Sequence, residues 1–122
     1  MKNNILIIED DEFFKELITK KLFSGGFRIL DAGDGQKGIE EAKQSKPDLI
    51  LLDLLLPSMD GFEVLSALKS DSETASIPVV ILSNLSSKED IEKGLKLGAA
   101  DFLIKSQFAS GEIITKIEKL LK

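Results

Sequence analysis

The sequence predicts an α/β fold, a (βα)5 doubly wound parallel sheet of five strands, on three observations. Five apolar runs begin near residues 5, 27, 49, 79 and 101. They are continuous rather than alternating, which suits strands buried on both faces, as in a parallel sheet covered by helices. The segments between them, 22 to 30 residues from one run to the next, switch to helical periodicity and leave room for a strand, a helix and two loops.

Ile5-Leu6-Ile7-Ile8 places the first strand near 5–9, ending on Glu9 and Asp10. Phe14, Ile18 and Leu22 then recur at i+4, with Phe13 and Leu17 beside them, as the stripe of an amphipathic helix that Gly25-Gly26 ends. The second strand falls near 27–31. Asp34-Gly35 opens the next helix and Ser45-Lys46-Pro47 closes it. Leu49-Ile50-Leu51-Leu52 gives a third strand near 49–53, and Val79-Val80-Ile81-Leu82 a fourth near 79–83. Residues 87–97 form the following helix, with Ile91 and Leu95 expected to face the core. Gly94 within it costs about 1 kcal/mol of helix stability relative to Ala, which suits either a movable element or close packing against a neighbour. The fifth strand, near 101–104, contains Phe102-Leu103-Ile104. Ile113, Ile114, Ile117, Leu120 and Leu121 form the stripe of a last helix whose Lys116 and Lys119 lie on its solvated side. Strand–helix alternation of this kind implies βαβ units with right-handed crossovers. The expectation is one domain, 1–122, without a linker, repeat or low-complexity tract.

Composition excludes several chemistries. The chain has no Cys, so a disulfide framework, a thiolate metal site and a Cys nucleophile are ruled out. It also has no His, which removes a Ser-His-Asp triad, a His general base, a His-ligated zinc and a His phosphoacceptor. What remains is chemistry by carboxylates, hydroxyls and amines. A net charge of −5 without a run of Lys or Arg argues against direct nucleic-acid binding. Four apolar residues before Glu9 are too few for a signal-peptide core, and no apolar stretch is long enough to span a membrane. A cytoplasmic location is the expectation.

Glu9, Asp10, Asp53, Ser83 and Lys105 all fall at or just after the end of an apolar run. In a parallel sheet all five gather at the carboxyl edge, where open α/β sheets bind their ligands. Three carboxylates there repel one another, and at least one holds its proton unless a cation intervenes. Mg²⁺ suits such a set of hard oxygen donors. Each residue also has a plainer use: Asp10 and Asp11 as caps of the first helix, Ser83 as a cap of its loop, Lys105 as a surface charge. Asp53 is the hardest to explain structurally, because a carboxylate between Leu51-Leu52 and Leu54-Leu55 is costly to bury without a partner.

Four stretches carry a resemblance: Ile-Leu-Ile-Ile-Glu-Asp-Asp at 5–11, Pro-Asp-Leu-Ile-Leu-Leu-Asp-Leu-Leu-Leu-Pro-Ser-Met-Asp-Gly at 47–61, Ile-Pro-Val-Val-Ile-Leu-Ser at 77–83 and Gly-Ala-Ala-Asp-Phe-Leu-Ile-Lys at 98–105. In this order and spacing they resemble the receiver domain of two-component response regulators, the chemotaxis-type phosphoacceptor module, over the whole chain. The resemblance implies the flavodoxin-like strand order 2-1-3-4-5. It implies that Asp53 accepts a phosphoryl group from the phosphohistidine of a sensor histidine kinase or phosphotransfer protein, and that the domain promotes its own dephosphorylation. Glu9, Asp10, the Asp53 carboxylate and the Leu55 carbonyl would hold Mg²⁺. Ser83 and Lys105 would bind phosphoryl oxygens, and Phe102 would be the aromatic switch that follows Ser83 and signals to a downstream effector or output domain. Charge supports the metal independently: the phosphorylated site carries about −1 with Mg²⁺ and about −3 without it.

The chain departs from the family pattern after Lys105, where Ser106 replaces a proline usually preceded by a cis bond. A trans Lys105–Ser106 bond is expected, since the cis form before a non-proline residue costs about 3 kcal/mol. Ser83 stands for the commoner Thr, Asn84 for a frequent Ala, and Phe102 for a frequent Tyr. A competing reading is a receiver-like docking module that binds partners without phosphorylation, for which all five site residues would be superfluous. A flavin-binding protein would need a Ser/Thr/Gly-rich loop where Glu9-Asp10-Asp11 stands. An Asp-nucleophile phosphatase would have a second Asp at position 55, where the chain has Leu.

Overall fold

In a computed structural model of the chain, which describes residues 3–106 and 112–121, strands and helices alternate throughout. They are β1 (Asn4–Ile8), α1 (Glu12–Ser24), β2 (Arg28–Ala32), α2 (Gly35–Ser45), β3 (Leu49–Leu52), α3 (Gly61–Ser70), β4 (Val79–Ser83), α4 (Lys88–Lys96), β5 (Asp101–Ile104) and α5 (Glu112–Leu120). The strands form one sheet in the order β2-β1-β3-β4-β5, with every neighbouring pair parallel. Strand boundaries lie within a residue of those read from the sequence.

The continuous apolar runs serve two cores at once, because successive side chains point to opposite faces of a sheet. Leu6, Ile8, Ile50, Leu52, Val79 and Ile81 face one side with Val64, Leu65 and Leu68 of α3 and Ala42 of α2. Ile5, Ile7, Leu49, Leu51, Val80 and Leu82 face the other with Ile18 and Leu22 of α1 and Ile113 and Ile117 of α5. A one-residue slip of any central strand would exchange these sets, so both cores lock the register.

Helix starts follow from side-chain caps. The carboxylates of Asp11, Asp34 and Asp60 accept from the N–H groups of Phe14, Lys37 and Phe62, and the Ser87 hydroxyl accepts from Asp90 N–H. Each such cap contributes about 1 kcal/mol. At the other end of α2, Lys46 takes the left-handed conformation at φ 47°.

Two expectations about helix faces are corrected. Phe13 and Leu17, beside the α1 stripe, are 78% and 46% exposed, and Leu95 of α4 is 47% exposed. The sheet covers only the narrow arc of α1 through Ile18 and Leu22. On α4 the close contact is made by Gly94 instead: a Cβ there would stand 2.6 Å from Ile81 Cδ1 and 3.2 Å from Phe102 Cδ2. Close packing therefore accounts for this glycine. Lys119 is exposed, but Lys116 pairs with Asp101 of β5 at 3.0 Å. None of the described helices is long and apolar enough to cross a membrane.

Candidate functional site

Sheet order brings the polar strand ends together. β1 and β3 are adjacent at the centre, and the ladder runs one step past them: Asp53 N–H donates to the Ile8 carbonyl and Glu9 N–H to the Ala32 carbonyl, both at 3.0 Å. Glu9 and Asp53 thus leave neighbouring strands with backbones fixed side by side. Ser83 is the last residue of β4, next to β3, and Lys105 follows β5. No described peptide bond is cis, so Lys105–Ser106 is trans, as the sequence predicts.

Lys105 Nζ lies 2.5 Å from Glu9 Oε1 and 3.2 Å from Asp53 Oδ2, and all three side chains are at least nine-tenths buried. Glu9 Oε2 accepts from Asp11 N–H at 3.1 Å, and Asp53 Oδ1 accepts from Leu55 N–H at 3.4 Å. Asp10 stays exposed, yet one carboxylate oxygen from each of Glu9, Asp10 and Asp53 falls within 4.8 Å of the others. Ser83 is fully buried, and its Oγ accepts from Leu85 N–H at 3.2 Å, leaving its own proton free to donate. Phe102 is half-buried against α4, and exposed Leu55 borders the site.

The electrostatics show a site short of positive charge. Burial is the main cause that pushes the Glu9 carboxyl up to about 7; the Lys105 hydrogen bond opposes this, and the Asp53 charge reinforces it. For Lys105, burial pulls the ammonium down, but the Glu9 hydrogen bond and the Asp53 and Glu9 charges outweigh it and leave the group above its ordinary value. Burial thus makes Glu9 hold its proton more tightly than an ordinary carboxyl. These residues fit a divalent metal: hard oxygen donors converge, and one ammonium does not balance them.

A pH dependence follows. The folded protein binds the Glu9 proton more tightly than the unfolded chain, so this contribution to stability is complete below about pH 4.5 and is lost as pH rises through about 7. Urea unfolding of the metal-free protein is expected to give a stability lower at pH 8 than at pH 5 by up to about 3 kcal/mol from this group. Mg²⁺ at about a hundredfold over its dissociation constant should restore roughly 2.7 kcal/mol at pH 8. A stability that rises across this range in chelator would refute the assignment.

One contact was not legible in the sequence. Lys105 Nζ also stands 4.4 Å from the centroid of the Phe14 ring. Phe14 read only as part of the α1 stripe, and no local pattern links it to a residue 91 positions away.

Comparison with known proteins agrees with this fold. The family model for the response regulator receiver domain matches residues 5–118. The chain belongs to that family. Its sequence is 42% identical over 118 residues to the DNA-binding dual master transcriptional regulator RpaA of Synechocystis, covering 97% of this chain and 48% of RpaA. This receiver domain spans about half the length of the curated relatives it matches. Among solved structures, the BeF3-activated N-terminal receiver domain of Klebsiella pneumoniae RstA superposes with a TM-score of 0.91 at 28% identity, over 98% of this chain and 99% of that one. The phosphorylated cyanobacterial phytochrome response regulator RcpA gives 0.84 at 31% identity, over 99% and 94%.

Proposed function

We propose that this receiver domain is a phosphorylation-dependent signalling switch, charged on Asp53 by the phosphohistidine of a sensor histidine kinase or phosphotransfer protein. The observation that carries this reading is the buried Lys105 ammonium bridging Glu9 and Asp53 at the carboxyl edge of the sheet. Phosphoryl transfer asks a protein mainly for positioning and charge neutralisation. An Asp53 carboxylate oxygen attacks phosphorus, forming an O–P bond as the donor's N–P bond breaks and imidazole leaves. The Leu55 N–H orients Asp53, while Lys105 and the Ser83 hydroxyl meet the oxygens of the incoming group. Glu9, Asp10, Asp53 and the Leu55 carbonyl would hold Mg²⁺, which when bound neutralises charge on the phosphoryl oxygens and the carboxylates. Hydrolysis of the acyl phosphate resets the switch.

Output would pass through Ser83 and Phe102 to altered contacts of α4 and β5 with a downstream effector or output domain. RpaA is described as DNA-binding, but a net charge of −5 supports no direct nucleic-acid contact by this chain. Phe13 and Leu17, exposed just after the acidic loop, support a protein as the phosphodonor. The reading puts the domain, taken as 1–122, in the cytoplasm, where histidine kinases are charged from ATP. No feature of the described site favours a docking module that works without phosphorylation.

The test is intact mass after incubation with Mg²⁺ and a small-molecule phosphodonor such as acetyl phosphate. One phosphoryl gain, absent in chelator, is expected. No gain, together with no Mg²⁺ binding, would overturn the proposal in favour of the docking module.

A further inference from the structure

We propose that Phe14 is a positioning residue for Lys105, holding its ammonium over the site through the face of the ring. The proposal rests on the phosphoacceptor reading above. Lys105 Nζ is 4.4 Å from the Phe14 ring centroid, well inside the range of a cation–π contact, and its side chain is 10% exposed, so water competes little. The ring itself is anchored. Phe14 lies in the first turn of α1, its N–H donates to the Asp11 cap at 3.2 Å, and its side chain packs against the core between α1, α5 and the sheet.

The need for such an anchor follows from the other two partners of Lys105. Glu9 and Asp53 hold the ammonium at 2.5 and 3.2 Å, but these are the carboxylates that would also serve a divalent cation and the phosphoryl group. Once either is so engaged, the Lys105 ammonium has to turn from the carboxylates toward the phosphoryl oxygens. A lysine has a flexible four-carbon stem and no built-in geometry of its own. The aromatic face is the neutral contact that persists, because neither a metal nor a phosphate competes for it. Phe14 would therefore act on the reaction only through Lys105.

Three variants, Phe14→Leu, Phe14→Tyr and Phe14→Trp, test this. Leu keeps an apolar cover but has no ring quadrupole; Tyr and Trp keep the aromatic face. In the metal-free protein, the ε-methylene protons of Lys105 should resonate upfield of those of other lysines, and should lose that ring-current shift in Phe14→Leu but not in Phe14→Tyr. With Mg²⁺ and acetyl phosphate, Phe14→Leu should acquire the phosphoryl group about three- to tenfold more slowly, with the aromatic variants within about twofold of wild type. Mg²⁺ affinity should not fall in any of the three, since Lys105 is not a ligand and its ammonium competes with a cation for Glu9 and Asp53. A Phe14→Leu rate equal to wild type, a loss shared by the aromatic variants, or a parallel fall in Mg²⁺ affinity would overturn the proposal. A wild-type protein that takes no phosphoryl group would sink the functional reading instead, and the ring-current shift would then decide the placement of Phe14 by itself.

Discussion

Asp53→Asn is expected to abolish the phosphoryl mass gain while leaving the fold as stable as wild type or more so. The first half follows from chemistry: an amide oxygen has neither the charge nor the nucleophilicity of the carboxylate. The second half follows from charge balance. The metal-free site has the carboxylates of Glu9, Asp10 and Asp53 around one ammonium, and both the charge and a hydrogen bond of Asp53 help raise the Glu9 proton affinity. Neutralising position 53 lets Glu9 ionise more readily and keeps its 2.5 Å pairing with Lys105. Urea unfolding in chelator at pH 8 should show Asp53→Asn at or above wild-type stability, by about 1 kcal/mol. Mg²⁺ affinity should fall, since one donor loses its charge. A mass gain in the variant would move the acceptor elsewhere, and a stability loss of several kcal/mol would make Asp53 a structural residue. A residue whose removal ends function without weakening the fold marks local strain kept for chemistry.

The same excess of charge explains why the site was legible in the sequence. Buried strand ends are apolar by default, so Glu9, Asp53 and Ser83 interrupting or ending continuous runs of Ile, Leu and Val stand out against their surroundings. The helix starts were legible where a capping residue marked them, as at Asp34. Contacts between distant elements were not. The stripe on α1 identified Ile18 and Leu22 as core, but periodicity alone cannot say how wide an arc the sheet covers, which is why Phe13 and Leu17 turn out exposed. Gly94 had two readings until the proximity of Ile81 and Phe102 decided for packing. Sequence predicted that a retained proton or a cation relieves the three carboxylates; that Lys105 itself bridges two of them needed the geometry. Ser58, at φ 66° in the loop after Asp53, had no sequence signal, since Ser is not a residue that favours that conformation.

That loop leads to the largest expected effect on stability, at Gly61. A Cβ on Gly61 would stand 2.4 Å from Leu54 Cα, 2.6 Å from the Asp53 carbonyl oxygen and 2.9 Å from the Leu54 carbonyl oxygen. Gly61 N–H also donates to that Leu54 carbonyl at 3.0 Å, so the first turn of α3 rests directly on the backbone that presents Asp53. Flexible side chains can yield to an added methyl group, but these obstacles are main-chain atoms next to a strand buried on both faces. Gly61→Ala must therefore displace either α3 or the segment from Asp53 to Leu55. The expected cost in urea unfolding is about 3 kcal/mol or more, at the upper end for overpacking. Phosphoryl gain should slow as well, because the Leu55 N–H and the Asp53 carboxylate move together. Gly33→Ala is the control, as a Cβ there meets nothing within 4 Å, and its effect should stay within about 0.5 kcal/mol. If Gly61→Ala costs no more than Gly33→Ala, the close seating of α3 on the Asp53 loop is wrong, and with it the account of how the fold holds its acceptor in place.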